Sequence, residues 1–174
     1  MKYTNKEALL PYELAHSLLE YNPDTGLLSW KVTKGPRALK GGVAGSKHSS
    51  GYVQIGINKV QFLVHRVTWL LFYKEWPSTL LDHIDGDKTN NRIANLRPCN
   101  TSQNKQNIGL NKNNSSGYKG VHFDNTHGKY KAQIQTLEGN RKHLGLFSTP
   151  EEASEVYNRA AKELHGEFYK DTRK

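Results

Sequence analysis

Apolar and polar positions change period several times along this 174-residue chain. Leu14, Ala15, Leu18 and Leu19 recur at helical spacing, which predicts a short helix over residues 11–20 with Pro11 suited to its first position. Asn22-Pro23-Asp24-Thr25-Gly26 is a dense turn signal, and residues 27–32 read as a strand anchored by Trp30. This helix and strand are read as a small packing element. Residues 34–50 are rich in Gly, Lys and Ser and hold Lys34, Arg37, Lys40 and Lys47 with no acid, as in a solvated loop or a set of phosphate contacts. Alternation returns over residues 52–57, Asn58-Lys59 is turn-like, and residues 60–64 come back as a partner, so a β-hairpin is expected. His65-Arg66 closes that return strand. Residues 67–73 predict a largely buried helix, which Trp76-Pro77 ends because a residue before proline disfavours helical angles.

The stretch over residues 80–107 carries the chemistry. Leu80 and Leu81 suit a buried strand end and lead into Asp82-His83; a polar loop, Asn95-Leu96-Arg97 and a short helical run follow. Asn100 or Thr101 is placed to cap that run, with Asn104 about one turn in. A neutral imidazole takes a proton from water near pH 7. A carboxylate and an amide oxygen hold a hard cation such as magnesium, and the cation stabilises charge on a phosphate and on its leaving oxygen. An EF-hand loop does not fit: counted from Asp82, Gly86 is fifth rather than sixth and the twelfth residue is Ile93 rather than Glu. A simple Asp-Gly turn accounts for Asp85-Gly86 and leaves Asp82, His83 and Asn104 unexplained.

With its Asp-His pair, Asp85-Gly86, Asn90-Asn91 and Asn95-Leu96-Arg97, the stretch resembles the HNH endonuclease family, and most of all its phage homing branch. The likeness spans residues 51–107. It implies Asp82 and Asn104 as the metal pair, His83 as general base and Asn95 as the brace of the loop, so that Asp82, His83 and Asn95 form the catalytic set. Asn104 stands where many members have a final His, and a neutral oxygen ligand favours magnesium or manganese over zinc. The branch also carries a His-Arg pair before an apolar helix. His65 is accordingly read as structural and Arg66 as reaching a phosphate. Arg97 suits a phosphate contact or an ion pair within the fold.

Composition narrows the partners. There are 25 Lys and Arg against 16 acids, a net charge of +9, which favours a polyanion, nucleic acid before membrane. Charge alone does not separate DNA from RNA. Hydrophobic content of 35% argues for small modules rather than one large core. The lone Cys99 excludes an internal disulfide and a paired-cysteine zinc site, and nothing beside it activates a thiol. No apolar run reaches membrane-span length and the N-terminus lacks a secretion signal, so a cytoplasmic protein is expected.

From Gly117 the pattern changes. Tyr118-Lys119-Gly120-Val121-His122-Phe123, residues 129–134 and residues 141–147 read as three antiparallel strands separated by His127-Gly128 and Glu138-Gly139-Asn140. Thr149-Pro150-Glu151-Glu152 is a capping-box start, and Ala153, Val156, Tyr157, Ala160, Ala161 and Leu164 make one apolar stripe ending near Gly166. Residues 109–148 hold six basic residues and two acids, residues 149–174 five and six, so the sheet half is the basic one. A sheet with a helix on one face leaves the other face for a DNA groove. The run Tyr-Lys-Gly-Val, then Gly128-Lys129-Tyr130, then Leu144-Gly145 through Glu151-Glu152-Ala153 and His165-Gly166 resembles the AP2 DNA-binding domain. By that likeness Lys119, His122, Gln133, Gln135, Arg141 and His143 face DNA, with Lys129 and Lys131 as further phosphate contacts. Lys, His and Gln replace several Arg and Trp of the family, so base preference does not carry over.

The expectation is an α+β chain: an N-terminal element (1–33), a ββα-metal HNH module (34–107), a linker (108–116) and an AP2-like domain of three strands on one helix (117–174). It would cut double-stranded DNA with magnesium or manganese, as phage homing enzymes do, without an obligatory protein partner. A DNA-binding protein with a degenerate nuclease motif, and an RNA-binding factor, are the alternatives.

Overall fold

The computed structural model describes residues 6–107, 109–110, 113–136 and 138–169 and divides into two compact units, Met1–Cys99 and Asn100–Lys174. In the first, a helix α1 (Tyr12–Leu18) runs directly into strand β1 (Leu19–Asn22), which pairs antiparallel with β2 (Leu27–Trp30). The helix expected to reach residue 20 therefore stops earlier. Leu19 fits a helical stripe and an inward strand position equally well; here it is extended (φ −128°, ψ 146°), pairs with Trp30 and is fully buried. Strands β3 (Ser46–Lys47), β4 (Val53–Ile57) and β5 (Val60–Leu63) form a second antiparallel sheet in that order. Asn58 and Lys59 both have positive φ, the two-residue turn that matches strand twist.

Helix α2 (Val64–Tyr73) begins earlier than the apolar run suggests, so His65 and Arg66 lie in its first turn, both buried. Leu10, Ala15, Leu19, Leu28, Ile55, Val67 and Leu70 form the core between the hairpin, the sheet and the helices. Strands β6 (Leu80–His83) and β7 (Leu96–Cys99) then pair antiparallel, with Asp82 opposite Arg97 and His83 opposite Leu96.

The second unit opens with α3 (Thr101–Asn107), where Asn100 and Gln103 exchange side-chain-to-backbone bonds of 2.8 Å, which makes Asn100 the cap. Of the expected linker, Ile108, Asn111 and Lys112 lie outside the described residues. Its end is folded: the Asn114 amide donates to the Tyr118 carbonyl (2.8 Å) and the Ser116 hydroxyl to that of Val121 (2.7 Å). Strands β8 (Val121–Asp124), β9 (Lys129–Gln135) and β10 (Arg141–Phe147) make a three-stranded antiparallel sheet with β9 central, as read from the turns. Helix α4 (Pro150–His165) starts on the expected capping box, with Glu152 N bonded to Thr149 Oγ1 at 3.3 Å. Val121, Ala132 and Ile134 pack beneath Ala153, Tyr157 and Ala161. Gly120 has a φ of +71°, and a Cβ there would collide with the Tyr157 ring and the Gln133 carbonyl. Among the described residues no helix is long and apolar enough to cross a membrane.

Candidate active site and nucleic-acid face

Asp82 and His83 end β6, 6% and 3% exposed. The loop after them is closed by amides. Asn95 Oδ1 accepts from Asp85 N (3.1 Å), and its Nδ2 donates to Asp85 Oδ1 (2.9 Å) and to the Asn90 carbonyl (2.9 Å). The Asn95 carbonyl also accepts from Ile84 N at 2.9 Å. Asn90 Nδ2 donates to Asp85 Oδ2 at 2.6 Å. Burial pushes the Asp85 carboxyl up, but bonds from Asn90, Asn95 and Asp87 N, together with the neighbouring His83, hold it below its ordinary value.

Asn91 belongs to the Asn90-Asn91 pair, which by type and spacing alone gives it no role. It is 3% exposed, and its Oδ1 lies 3.1 Å from His83 Nε2. Its Nδ2 donates to the Thr89 carbonyl at 3.2 Å. A carbonyl only accepts, so that second bond fixes the amide with its oxygen toward the imidazole. His83 Nε2 is therefore the protonated nitrogen, and in the neutral ring Nδ1 carries the lone pair. The signal available was the Asn90-Asn91 pair itself; nothing in the sequence says which Asn turns inward.

His65 packs edge-on against His83 (centroids 5.1 Å apart), and Tyr52 lies against both rings at 5.4 and 6.0 Å. Among the described residues His65 Nδ1 has no partner, and burial, then the neighbouring His83 and Arg66, push its pKa down to about 3. A structural, neutral His65 beside the site agrees with its reading from sequence. Lys88 sits over the Tyr52 ring, 4.5 Å from its centroid.

Arg97 is resolved in favour of an ion pair: Nε and Nη2 lie 3.1 and 2.9 Å from Asp82 Oδ2. Arg66 is a correction. Expected on phosphate, it is 8% exposed and donates to Glu7 Oε1 (2.6 Å), the Thr79 carbonyl (2.9 Å) and the Pro77 carbonyl (2.9 Å). The helix starts early enough to carry its side chain inward, where carbonyls that strand and helix leave unused need a donor. Burial pushes the Cys99 thiol up to about 11, which agrees with its reading as no nucleophile. Asn104 lies half-buried on α3 in the second unit.

Among the described residues no three His, Cys, Asp or Glu gather as an all-protein cage would require. Magnesium needs no such cage: it keeps several waters and takes one or two carboxylates plus substrate phosphate. The single buried carboxylate of Asp82 suits that demand and does not suit zinc.

In the second unit the register sorts the expected contacts. His122 pairs with Lys131, Asp124 with Lys129, Gln133 with His143 and Gln135 with Arg141. Opposed residues share a face, so His122, Lys129, Lys131, Gln133, Gln135, Arg141 and His143 line one side of the sheet, opposite α4. Asp124 is the acid among them, and pairs with His127 at 3.2 Å. Lys119 is the exception: it precedes β8, and its ammonium donates to the Gln106 carbonyl at 2.5 Å.

A family model described as HNH endonuclease matches residues 62–106. An HNH endonuclease of Acanthamoeba polyphaga mimivirus is 37% identical over 122 residues, 68% of this chain; the chain spans 61% of that relative's length. Protein 3.8 of Escherichia phage T7 is 32% identical over 88 residues, covering 51% of this chain and 71% of the T7 protein. An AP2-like ethylene-responsive transcription factor of Oryza sativa subsp. japonica is 43% identical over 53 residues, 30% of this chain and 8% of that factor. A solved structure, described as DNA binding and cleavage by the HNH homing endonuclease I-HmuI, covers 84% of this chain and 76% of its own at 18% identity and a TM-score of 0.40, too distant to add to the assignment. The family model thus covers the stretch that holds Asp82 and His83, and residues 62–106 form an HNH endonuclease domain.

Proposed function

We propose that this protein hydrolyses phosphodiester bonds of double-stranded DNA, with His83 as general base, and that an AP2-type second unit holds the DNA. The observation that carries the reading is the buried Asp82–His83 pair whose imidazole is oriented by Asn91 within a loop braced by Asn95. In this scheme His83 Nδ1 takes a proton from water. The water oxygen bonds to phosphorus as the bond to the 3′ oxygen breaks, and that oxygen is protonated by solvent. The products carry a 5′ phosphate and a 3′ hydroxyl. A magnesium or manganese ion, held by Asp82 and Asn104, supplies neutralisation of charge on the phosphate and the departing oxygen when bound. Asn91 and Asn95 keep the base aimed. The sheet face from His122 to His143 supplies the cations and amides for phosphate and base edges. This is homing-type action on intracellular DNA.

One observation favours a second reading, a DNA-binding protein that does not cut: Arg97 already neutralises the Asp82 carboxylate. Incubating supercoiled plasmid with magnesium decides between them. Nicking that disappears with chelator and in His83→Ala is expected for the enzyme. A retained gel shift with no nicking under magnesium or manganese would leave only the binder, and preference for structured RNA over duplex DNA would sink both.

A further inference from the structure

The N-terminal hairpin does more than pack. The phenol of Tyr21, on β1, donates to the Asn91 carbonyl at 3.2 Å and accepts from Ile93 N at 2.8 Å. It thus grips the backbone on both sides of Arg92. Arg92 in turn reaches back, its Nε donating to the Asp24 carbonyl of the hairpin turn at 2.5 Å. Gly26 closes that turn at φ +74°, and a Cβ there would lie 2.5 Å from Arg92 N and 2.8 Å from Asn91 C, so turn and loop meet backbone to backbone. The tip of β1–β2 is locked to the very segment whose side chain fixes the His83 ring.

We infer that Tyr21 is a positioning residue of the active site, holding Asn91 so that the His83 imidazole stays in its Nε2–H tautomer with Nδ1 as the basic nitrogen. The inference rests on His83 being the base. Its physical basis is the chain of bonds from the Tyr21 hydroxyl to Asn91 and from Asn91 Oδ1 to His83 Nε2. Without the phenol, the Asn91 carbonyl and the Ile93 amide lose their partner, and the segment that aims Oδ1 loosens. The ring of Tyr21 packs against the hydrophobic core, so Tyr21→Phe removes the hydroxyl and keeps the packing.

The test compares the full-length chain with Tyr21→Phe, with Asn91→Ala and with Tyr12→Phe as a control tyrosine from the same core. Imidazole ¹⁵N shifts report the His83 tautomer, and steady-state nicking gives kcat and KM separately. The expected result is a single Nε2–H form in the parent and in Tyr12→Phe, with the Nδ1–H form appearing in Tyr21→Phe and Asn91→Ala. In Tyr21→Phe kcat should fall about tenfold with KM for DNA little changed. A His83 tautomer unaltered in Tyr21→Phe overturns the inference, whether or not kcat falls, because a fall would then reflect general loosening. A changed tautomer with unaltered kcat supports the Tyr21 clamp and overturns the assignment of His83 as base, so the two readings fail separately. Gly26→Ala, which wedges turn from loop without touching the phenol, is expected to reproduce the tautomer change.

Discussion

Acidification should unfold the first unit through His65. Its ring is 4% exposed, its Nδ1 lacks a partner among the described residues, and burial, then the neighbouring His83 and Arg66, push its pKa down to about 3 from 6.5. A folded value below the unfolded one means that between the two the unfolded chain binds the extra proton. The stability involved is complete above pH 6.5 and is lost as pH falls towards 3. Each pH unit within that window removes about 1.4 kcal/mol, or about 4–5 kcal/mol across all of it. Trp30, Trp69 and Trp76 all lie in the first unit, so tryptophan fluorescence reads its unfolding alone. With a urea slope of about 1–3 kcal/mol per molar, the His65 contribution moves the midpoint down by about 1 M per pH unit. Carboxylates add to the raw slope, and His65→Leu separates them: it removes both the titrating ring and the orphan nitrogen, at little cost or a gain near pH 7. The midpoints of parent and variant should diverge as pH drops from 6.5 to 4. Parallel curves would refute the reasoning.

Other perturbations follow from single contacts. Arg66→Ala should cost about 3–5 kcal/mol in the same urea assay, since it strands Glu7 and two carbonyls; DNA affinity of the folded protein should be unchanged in a gel shift. Gly120→Ala should destabilise the second unit by more than about 2 kcal/mol, read by circular dichroism melting, because a Cβ there would lie 2.1 Å from the Tyr157 ring and 2.7 Å from the Gln133 carbonyl at a φ of +71°. Asn95→Ala should speed amide exchange at Ile84 and Asp85 and depress nicking, as the loop loses one acceptor and two donated bonds.

Much of the molecule is legible from spacing and turn chemistry. The Asn58-Lys59 hairpin, the three strands of the second unit and the Thr149 capping box rest on local rules, and local rules suffice for them. Leu19 shows where they stop: a leucine after Leu18 extends a helical stripe or starts a strand, and only pairing with Trp30 decides. Arg66 shows it again. A guanidinium reads as a surface charge until the chain is seen to fold two carbonyls and Glu7 around it. At the site, Asp82, His83 and Asn95 stand out by type and spacing, whereas Asn91 is one amide in an Asn-rich loop. Its orientation toward His83 depends on Thr89 and on a hairpin about seventy residues upstream, as the Tyr21–Asn91 bond records. Long-range closure of that kind leaves no periodic trace.

Beside the Arg92 guanidinium, the loop after β6 is fastened by carboxamide donors from Asn90, Asn91 and Asn95, none of which carries charge. A polyanion arrives wrapped in counterions, and at 0.1 M salt exposed charge pairs are already screened over about 10 Å. Uncharged donors at hydrogen-bond range are nearly indifferent to that atmosphere. If His83 is the base, as proposed, it would stay aimed while a nucleic acid's own cloud of cations is shed around it.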